Sequence, residues 1–321
     1  MKKQSVKLSI SYLVTASILF LVSINVFPQK YQIGKVSLKF IDNERGNRRV
    51  PADIYFPLDA LRNDHTKDPD MQVRYPVICF GHGYLISGKW YANICEIFVP
   101  EGFILIFPGS EAGLLPSHKT LAKDMNFALN EISKLNLDKS SPLFNHIDTI
   151  KCMMGHSMGG GSLFLAAKQS RDVKAIVALS PYDTRPSAIK AASSVIFPTL
   201  IFAGSNDCIT PPDKHQLPVY NSSASPDKIY ILIKGGTHCQ MGVSHPKCSS
   251  AEKVAGCRGI NISGDEQLKI LARYILPWLR FHLYKDNEAG ILFNTVIKND
   301  PAIEYKQSRP LQTFEEDIHQ Q

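Results

Sequence analysis

The chain has 321 residues, of which 44% are hydrophobic and 20% charged, a balance that suits a folded core and excludes wholesale disorder. Its 20 glycines and 20 prolines show no repeating period, which excludes collagen-like and solenoid chains. The net charge is +7, but Lys2, Lys3 and Lys7 stand at the extreme N-terminus and no basic run follows, so a nucleic-acid partner is not expected.

Those lysines precede an apolar stretch over residues 10–27, diluted by Ser11, Thr15, Ser17, Ser23 and Asn25. A charged segment followed by an apolar one reads as a signal peptide over residues 1–28, with an uncleaved membrane anchor as the alternative. Cleavage near Pro28-Gln29 leaves a secreted or periplasmic chain with no stable membrane span. Seven cysteines follow. In an oxidising compartment some should pair, and an odd count leaves at least one free. Cys79 and Cys152 lie in apolar runs and read as small buried hydrophobes. Cys208, Cys239, Cys248 and Cys257 lie in loops and are the disulfide candidates.

In chain order, residues 36–41 and 49–56 read as two strands joined by a turn at 43–47. A polar loop follows at 63–70. Residues 76–80 form a short apolar strand that ends in Gly81-His82-Gly83. The apolar spacing of 89–99 predicts a helix, 103–107 a buried strand, and 118–135 an amphipathic helix. Residues 149–154 predict a strand and 158–169 a helix. Strands follow at 173–179, 199–203 and 228–233. A long helix at 267–284 contains Pro277, a residue that can kink it. Alternating helices and continuous apolar strands imply an α/β fold, with a mostly parallel twisted sheet covered by helices on both faces. Chemistry then gathers at the carboxyl ends of the strands. The short stretch between 179 and 199 leaves no room for a large cap domain, so the site should be open to solvent. Residues 29–285 read as the catalytic domain. Residues 286–321 are polar and read as a C-terminal surface extension.

Gly155-His156-Ser157-Met158-Gly159 follows the 149–154 strand and opens the next helix. A sharp strand-to-helix turn strains the serine backbone and lifts its hydroxyl out of the sheet. Glycine is needed two residues before and two after, because a Cβ there would collide with the turn. A serine hydroxyl needs a base to act as a nucleophile, and the order Ser–acid–His points to Asp207 and His238, each in a loop after a strand. His238 would take the Ser157 proton, and Asp207 would hold its tautomer. Asp183 is the rival acid. His156, inside the turn, reads as packing, and His82 as a brace for backbone. His65, His118, His146, His215, His282 and His319 carry no partner signal. A tetrahedral intermediate needs two N–H donors: Met158, after the nucleophile, and Tyr84, in the glycine loop after the 76–80 strand.

Gly155-His-Ser-Met-Gly-Gly-Gly-Ser-Leu163, Pro198-Thr-Leu-Ile-Phe202, Asn206-Asp207, Leu217-Pro-Val-Tyr220 and Gly235-Gly-Thr-His238 resemble the bacterial cutinases and poly(ethylene terephthalate) hydrolases of the α/β-hydrolase superfamily. The resemblance runs from about residue 76 to 238. It implies Ser157, Asp207 and His238 as a triad, Tyr84 and Met158 as oxyanion donors, and Tyr84 and Tyr182 as the two aromatic walls of the acyl site. In that family the second wall is a Trp within Pro-Trp-Asp; here it is Pro181-Tyr182-Asp183. The family can bridge the acid and histidine loops by a disulfide, so the resemblance in place implies Cys208–Cys239, leaving Cys248–Cys257 to close a small loop. A metal site over Cys239, His245, Cys248 and Cys257 is the alternative, but the spacing matches no standard zinc pattern, and no metal is expected.

The resulting reading is a monomeric, secreted serine carboxylic-ester hydrolase that acts on an ester or polyester through an acyl-enzyme and needs no cofactor. Alternatives are a small-ester esterase or lipase of dienelactone-hydrolase or platelet-activating-factor-acetylhydrolase type, a serine peptidase, an acyltransferase, and a non-catalytic binding protein on the same fold.

Overall fold

The N-terminal strands form a hairpin of β1 (Ile33–Asp42) and β2 (Arg48–Pro57), paired antiparallel with Phe40 opposite Val50. Its turn is set by local chemistry. The Asp42 carboxylate accepts the Arg45 backbone N–H at 3.2 Å, and Gly46 and Asn47 take left-handed backbone at φ 67° and 57°, which Gly and Asn tolerate best. The computed structural model describes residues 31–58, 73–243, 245–257, 259 and 261–313. The signal-peptide reading of residues 1–28, the loop read at 63–70, His65 and His319 lie outside the described residues.

Beyond the hairpin come β3 (Tyr75–Gly81), β4 (Ile104–Pro108), β5 (Ile147–His156), β6 (Val173–Leu179), β7 (Thr199–Gly204), β8 (Lys228–Ile233) and β9 (Ile303–Gln307). They join one sheet in the order β1-β2-β4-β3-β5-β6-β7-β8-β9. Pairing is parallel from β4 through β8 and antiparallel at both margins. This is the mostly parallel sheet that the alternation of elements implies, with the α/β-hydrolase-like topology that the resemblance implies.

The helices are α1 (Ala92–Phe98), α2 (His118–Leu135), α3 (Met158–Ala167), α4 (Ala188–Ala192), α5 (Gln216–Ser222), α6 (Pro246–Val254), α7 (Gly264–Tyr284) and α8 (Asn287–Asn299). Side chains alternate across each strand, so every inner strand feeds two cores. Val77, Cys79, Met153, Ile176 and Ala178 pack under α2–α5. Ile78, Phe80, Met154, Val177 and Phe202 pack under α1, α7 and α8. Both faces are therefore dry, which is why these strands read as unbroken apolar runs. Each buried Phe or Ile contributes about 1.5–3 kcal/mol. The helix expected at 267–284 begins earlier, where the Ser263 hydroxyl accepts the Glu266 N–H, and Pro277 lies inside it.

The C-terminal segment differs from the polar surface extension expected after residue 285. Asp286 caps α8 through the Ala289 N–H, and β9 pairs with β8 as the last strand of the sheet. Phe293, Ile297, Ile303 and Leu311 are buried in the second core. These inward-facing residues are interspersed with polar ones, so the segment does not stand out as a core element, yet their burial suffices to close one edge of a sheet already built.

One feature of the order positions the site. The chain runs from β3 to β4 on one side, then returns to β5 on the other side of β3. Such a reversal opens a crevice at the carboxyl ends of the neighbouring strands. Gly81 at the end of β3 lies in register with Gly155 near the end of β5, so the loop after β3 and Ser157 emerge side by side.

Candidate active site

Ser157 sits between β5 and α3 with φ 55° and ψ −119°, a conformation that costs about 1–3 kcal/mol for a non-glycine residue. Glycines permit the turn. A Cβ on Gly155 would lie 2.6 Å from the Gly159 carbonyl oxygen, and one on Gly159 would lie 2.1 Å from the Gly81 backbone. The serine is held by two backbone bonds as well: its N–H donates to the Leu179 carbonyl at 2.9 Å, and its carbonyl accepts the Tyr182 N–H at 3.0 Å.

The structure brings the three residues singled out from the sequence together. Ser157 Oγ lies 2.9 Å from His238 Nε2. His238 Nδ1 lies 2.8 Å from Asp207 Oδ2. All three are buried. Asp207 occupies the loop after β7, and His238 the loop after β8. Burial alone would raise the Asp207 pKa, but the His238 ring and the donors of Thr210 outweigh it and hold the carboxyl below its ordinary value. Its other oxygen, Oδ1, accepts the Thr210 N–H at 2.7 Å, and the Thr210 hydroxyl donates to Oδ2 at 2.8 Å. Gln216 Nε2 donates to Thr210 Oγ1 at 3.1 Å and to the Pro181 carbonyl at 2.9 Å. The carboxylate thus reaches His238 already oriented. Sequence reasoning missed Thr210 and Gln216; a threonine three residues after an aspartate is too common a local pattern to stand out.

The rival acid, Asp183, faces elsewhere: its Oδ1 accepts from Ser187 Oγ and the Ile189 N–H at the start of α4. His82 braces backbone, as expected, with its ring nitrogens 2.9 Å from the Gly83 carbonyl and 2.8 Å from that of Ser110. His156 is buried and packs between Tyr91 and His238.

Met158 is the first residue of α3, so its N–H belongs to the first turn, where a helix offers no internal acceptor. Tyr84 follows Gly83 in the loop after β3. The residue is 48% exposed, and its hydroxyl donates to the Leu114 carbonyl at 2.9 Å. Tyr182 is half-buried, with ring centroids 5.1 Å from His215 and 6.2 Å from His118. Those two histidines carried no partner signal in the sequence. His215 also accepts the Asp183 N–H at 3.0 Å, and burial lowers its pKa.

All four candidate cysteines are disulfide-bonded, but Cys248 lies within α6 rather than in a loop, and the pairing differs from the expected one. Cys208 bonds Cys257, and Cys239 bonds Cys248. The residue after Asp207 and the residue after His238 are therefore each tied to the segment carrying α6, rather than to one another. Glu252 of α6 also accepts the Cys239 N–H at 2.8 Å. These bonds consume the thiols that the alternative metal site would have used. Cys79, Cys95 and Cys152 are free and buried, and burial pushes the Cys95 thiol up to about 12. Among the described residues, no helix is long and apolar enough to cross a membrane.

Residues 77–287 match a family model described as PET hydrolase-like. The chain is 32% identical over 166 residues to "Cutinase est1" of Thermobifida alba, a match covering 51% of this chain and 53% of that protein. It is 33% identical over 166 residues to a "Cutinase" of Thermobifida fusca, covering 51% and 52%. A shorter match, 33% over 94 residues and 29% of each chain, is to "Bis(hydroxyethyl) terephthalate hydrolase" of Streptomyces coelicolor. The chain spans about half the length of the curated cutinases it matches.

Proposed function

The chain belongs to the PET hydrolase-like family, and from that premise we propose that it is a secreted carboxylic-ester hydrolase whose triad is Ser157, His238 and Asp207. The observation that carries the reading is the continuous line of hydrogen bonds from Ser157 Oγ through His238 to Asp207, at 2.9 and 2.8 Å, with the serine held on a strained turn. His238 Nε2 removes the Ser157 proton as the hydroxyl attacks the ester carbonyl. The carbonyl oxygen becomes an oxyanion, which the backbone N–H groups of Tyr84 and Met158 stabilise. The imidazolium, held by Asp207, returns its proton to the departing alcohol. Water, activated by His238, then hydrolyses the acyl-enzyme to free acid and Ser157. The triad supplies nucleophile and base, so the cycle needs no cofactor.

Tyr84 and Tyr182 flank the scissile ester in this reading, as walls for an apolar or aromatic acyl group. Relatives named as cutinases and as a bis(hydroxyethyl) terephthalate hydrolase support carboxylic esters, aromatic diacid esters among them, as the substrate class, with polyesters such as poly(ethylene terephthalate) as the extended form. Secretion fits the two disulfides and the charged, apolar N-terminus.

The test is hydrolysis of chromogenic esters of rising acyl length, with Ser157→Ala beside the wild type. Turnover that persists into medium chains and vanishes in the variant is the expected result, and release of terephthalate from bis(hydroxyethyl) terephthalate and from polymer film comes next. Turnover confined to acetyl esters would replace the polyesterase reading with the small-ester one. Equal rates in wild type and variant would refute the triad.

A further inference from the structure

A second line of hydrogen bonds runs behind the triad and takes no part in the chemistry above. The Gly83 N–H donates to the Tyr91 hydroxyl at 2.8 Å. That hydroxyl lies 3.0 Å from His156 Nδ1. His156 Nε2 lies 3.0 Å from the backbone carbonyl of His238. Every group in the line is buried.

The direction of each bond follows from what each atom can do. The His238 carbonyl only accepts, so His156 Nε2 carries a proton. Burial, followed by the neighbouring His238 ring, holds the His156 pKa well below its ordinary value, so the ring is neutral and Nδ1 is a bare acceptor. Tyr91 therefore donates its one hydrogen to Nδ1 and accepts from Gly83. The line is fully satisfied without water, in one tautomer and one orientation.

Its two ends matter to the reaction. Gly83 immediately precedes Tyr84, whose N–H is one of the two oxyanion donors proposed above. The other end is the backbone of the base itself. These loops leave β3 and β8, which are separated in the sheet by β5, β6 and β7, so no strand pairing fixes their spacing. Gly83 is pressed into the line: an added Cβ would lie 3.1 Å from the Tyr91 hydroxyl, 3.2 Å from His156 Nδ1 and 3.6 Å from Ser157 Cβ.

We propose that Tyr91 and His156 are positioning residues, a buried bridge that sets the oxyanion loop against the loop of the general base. The inference rests on the triad reading. A displacement of either end by a fraction of an ångström would be felt mainly in the transition state, where the N–H donors and the base act at once.

Tyr91→Phe keeps the ring and removes the link. Measured per active site counted with an organophosphonate that labels Ser157, kcat should fall about tenfold while KM stays within about twofold. His156→Phe should do the same, and the double variant should be no slower than either single one, because all three cut one line. His156→Gln, with an amide oxygen to accept and an N–H to donate, should recover much of the rate lost in His156→Phe. A merely structural role would lower the unfolding temperature and leave kcat per labelled site unchanged. An unchanged kcat in Tyr91→Phe, losses that multiply in the double variant, or no recovery with Gln would each overturn the bridge while the triad stands. A wild type with neither Ser157-dependent turnover nor labelling would overturn the triad reading, and the bridge with it.

Discussion

Replacing Cys208 and Cys257 together by serine removes a cross-link between residues 49 apart, whereas Cys239→Ser with Cys248→Ser removes one between residues only 9 apart. A cross-link stabilises the fold by shortening the list of conformations open to the unfolded chain, and its effect grows with the logarithm of loop length. With the usual loop-closure expression, the outer link contributes about 4 kcal/mol at 25 °C and the inner one about 2.6 kcal/mol. The outer loop encloses β8 and the His238 loop, so its opening frees a whole strand unit in the denatured state. The inner link closes one short excursion that Glu252 also holds, through the Cys239 N–H. Urea unfolding of the two double-serine proteins, followed by tryptophan fluorescence, gives both free energies and both slopes. The outer pair should lower stability more than the inner pair, by about 1.4 kcal/mol. An equal or reversed ranking would refute the loop-entropy argument and show that local anchoring of the His238 loop outweighs chain closure.

Two further outcomes follow from packing and from titration. Gly159→Ala places a Cβ 2.1 Å from the Gly81 backbone; neither partner is a flexible side chain, so the unfolding free energy should drop by about 3 kcal/mol or more, and an unshifted urea midpoint would contradict that close approach. His282, buried against Trp278, has its pKa lowered by burial to about 4. The unfolded chain therefore takes up that proton first, and stability is lost as pH falls from about 6.5 towards 4, by about 3 kcal/mol in all. His282→Gln should flatten that part of the stability–pH curve, and identical slopes for variant and wild type would refute the assignment.

Much of the candidate site was legible in the sequence because the constraint behind it is local. A strained serine at a strand-to-helix turn forces glycines at fixed offsets, and Gly155 and Gly159 stand there because 2.6 and 2.1 Å leave no room for a methyl group. Asp207 and His238 were found by chain order, since each strand of a parallel sheet delivers one loop to the same end. The two-faced sheet was legible for a similar reason: strands buried on both sides carry no polar alternation.

What the tertiary structure alone decided involves partners far apart in the chain. Cysteine pairing depends on which loops the segment carrying α6 lies against, and the outcome ties both triad loops to that segment rather than to one another. Residues 286–313 look polar because the apolar side chains that face inward, Phe293, Ile297, Ile303 and Leu311 among them, are interspersed with polar ones, and their burial exists only once α7 and the open edge of β8 are in place. Thr210, Gln216, Tyr91 and His156 are ordinary residues in the sequence. They gain a part in the site only where the fold turns their donors and acceptors towards one another, away from water, so that each group must find its partner within the protein.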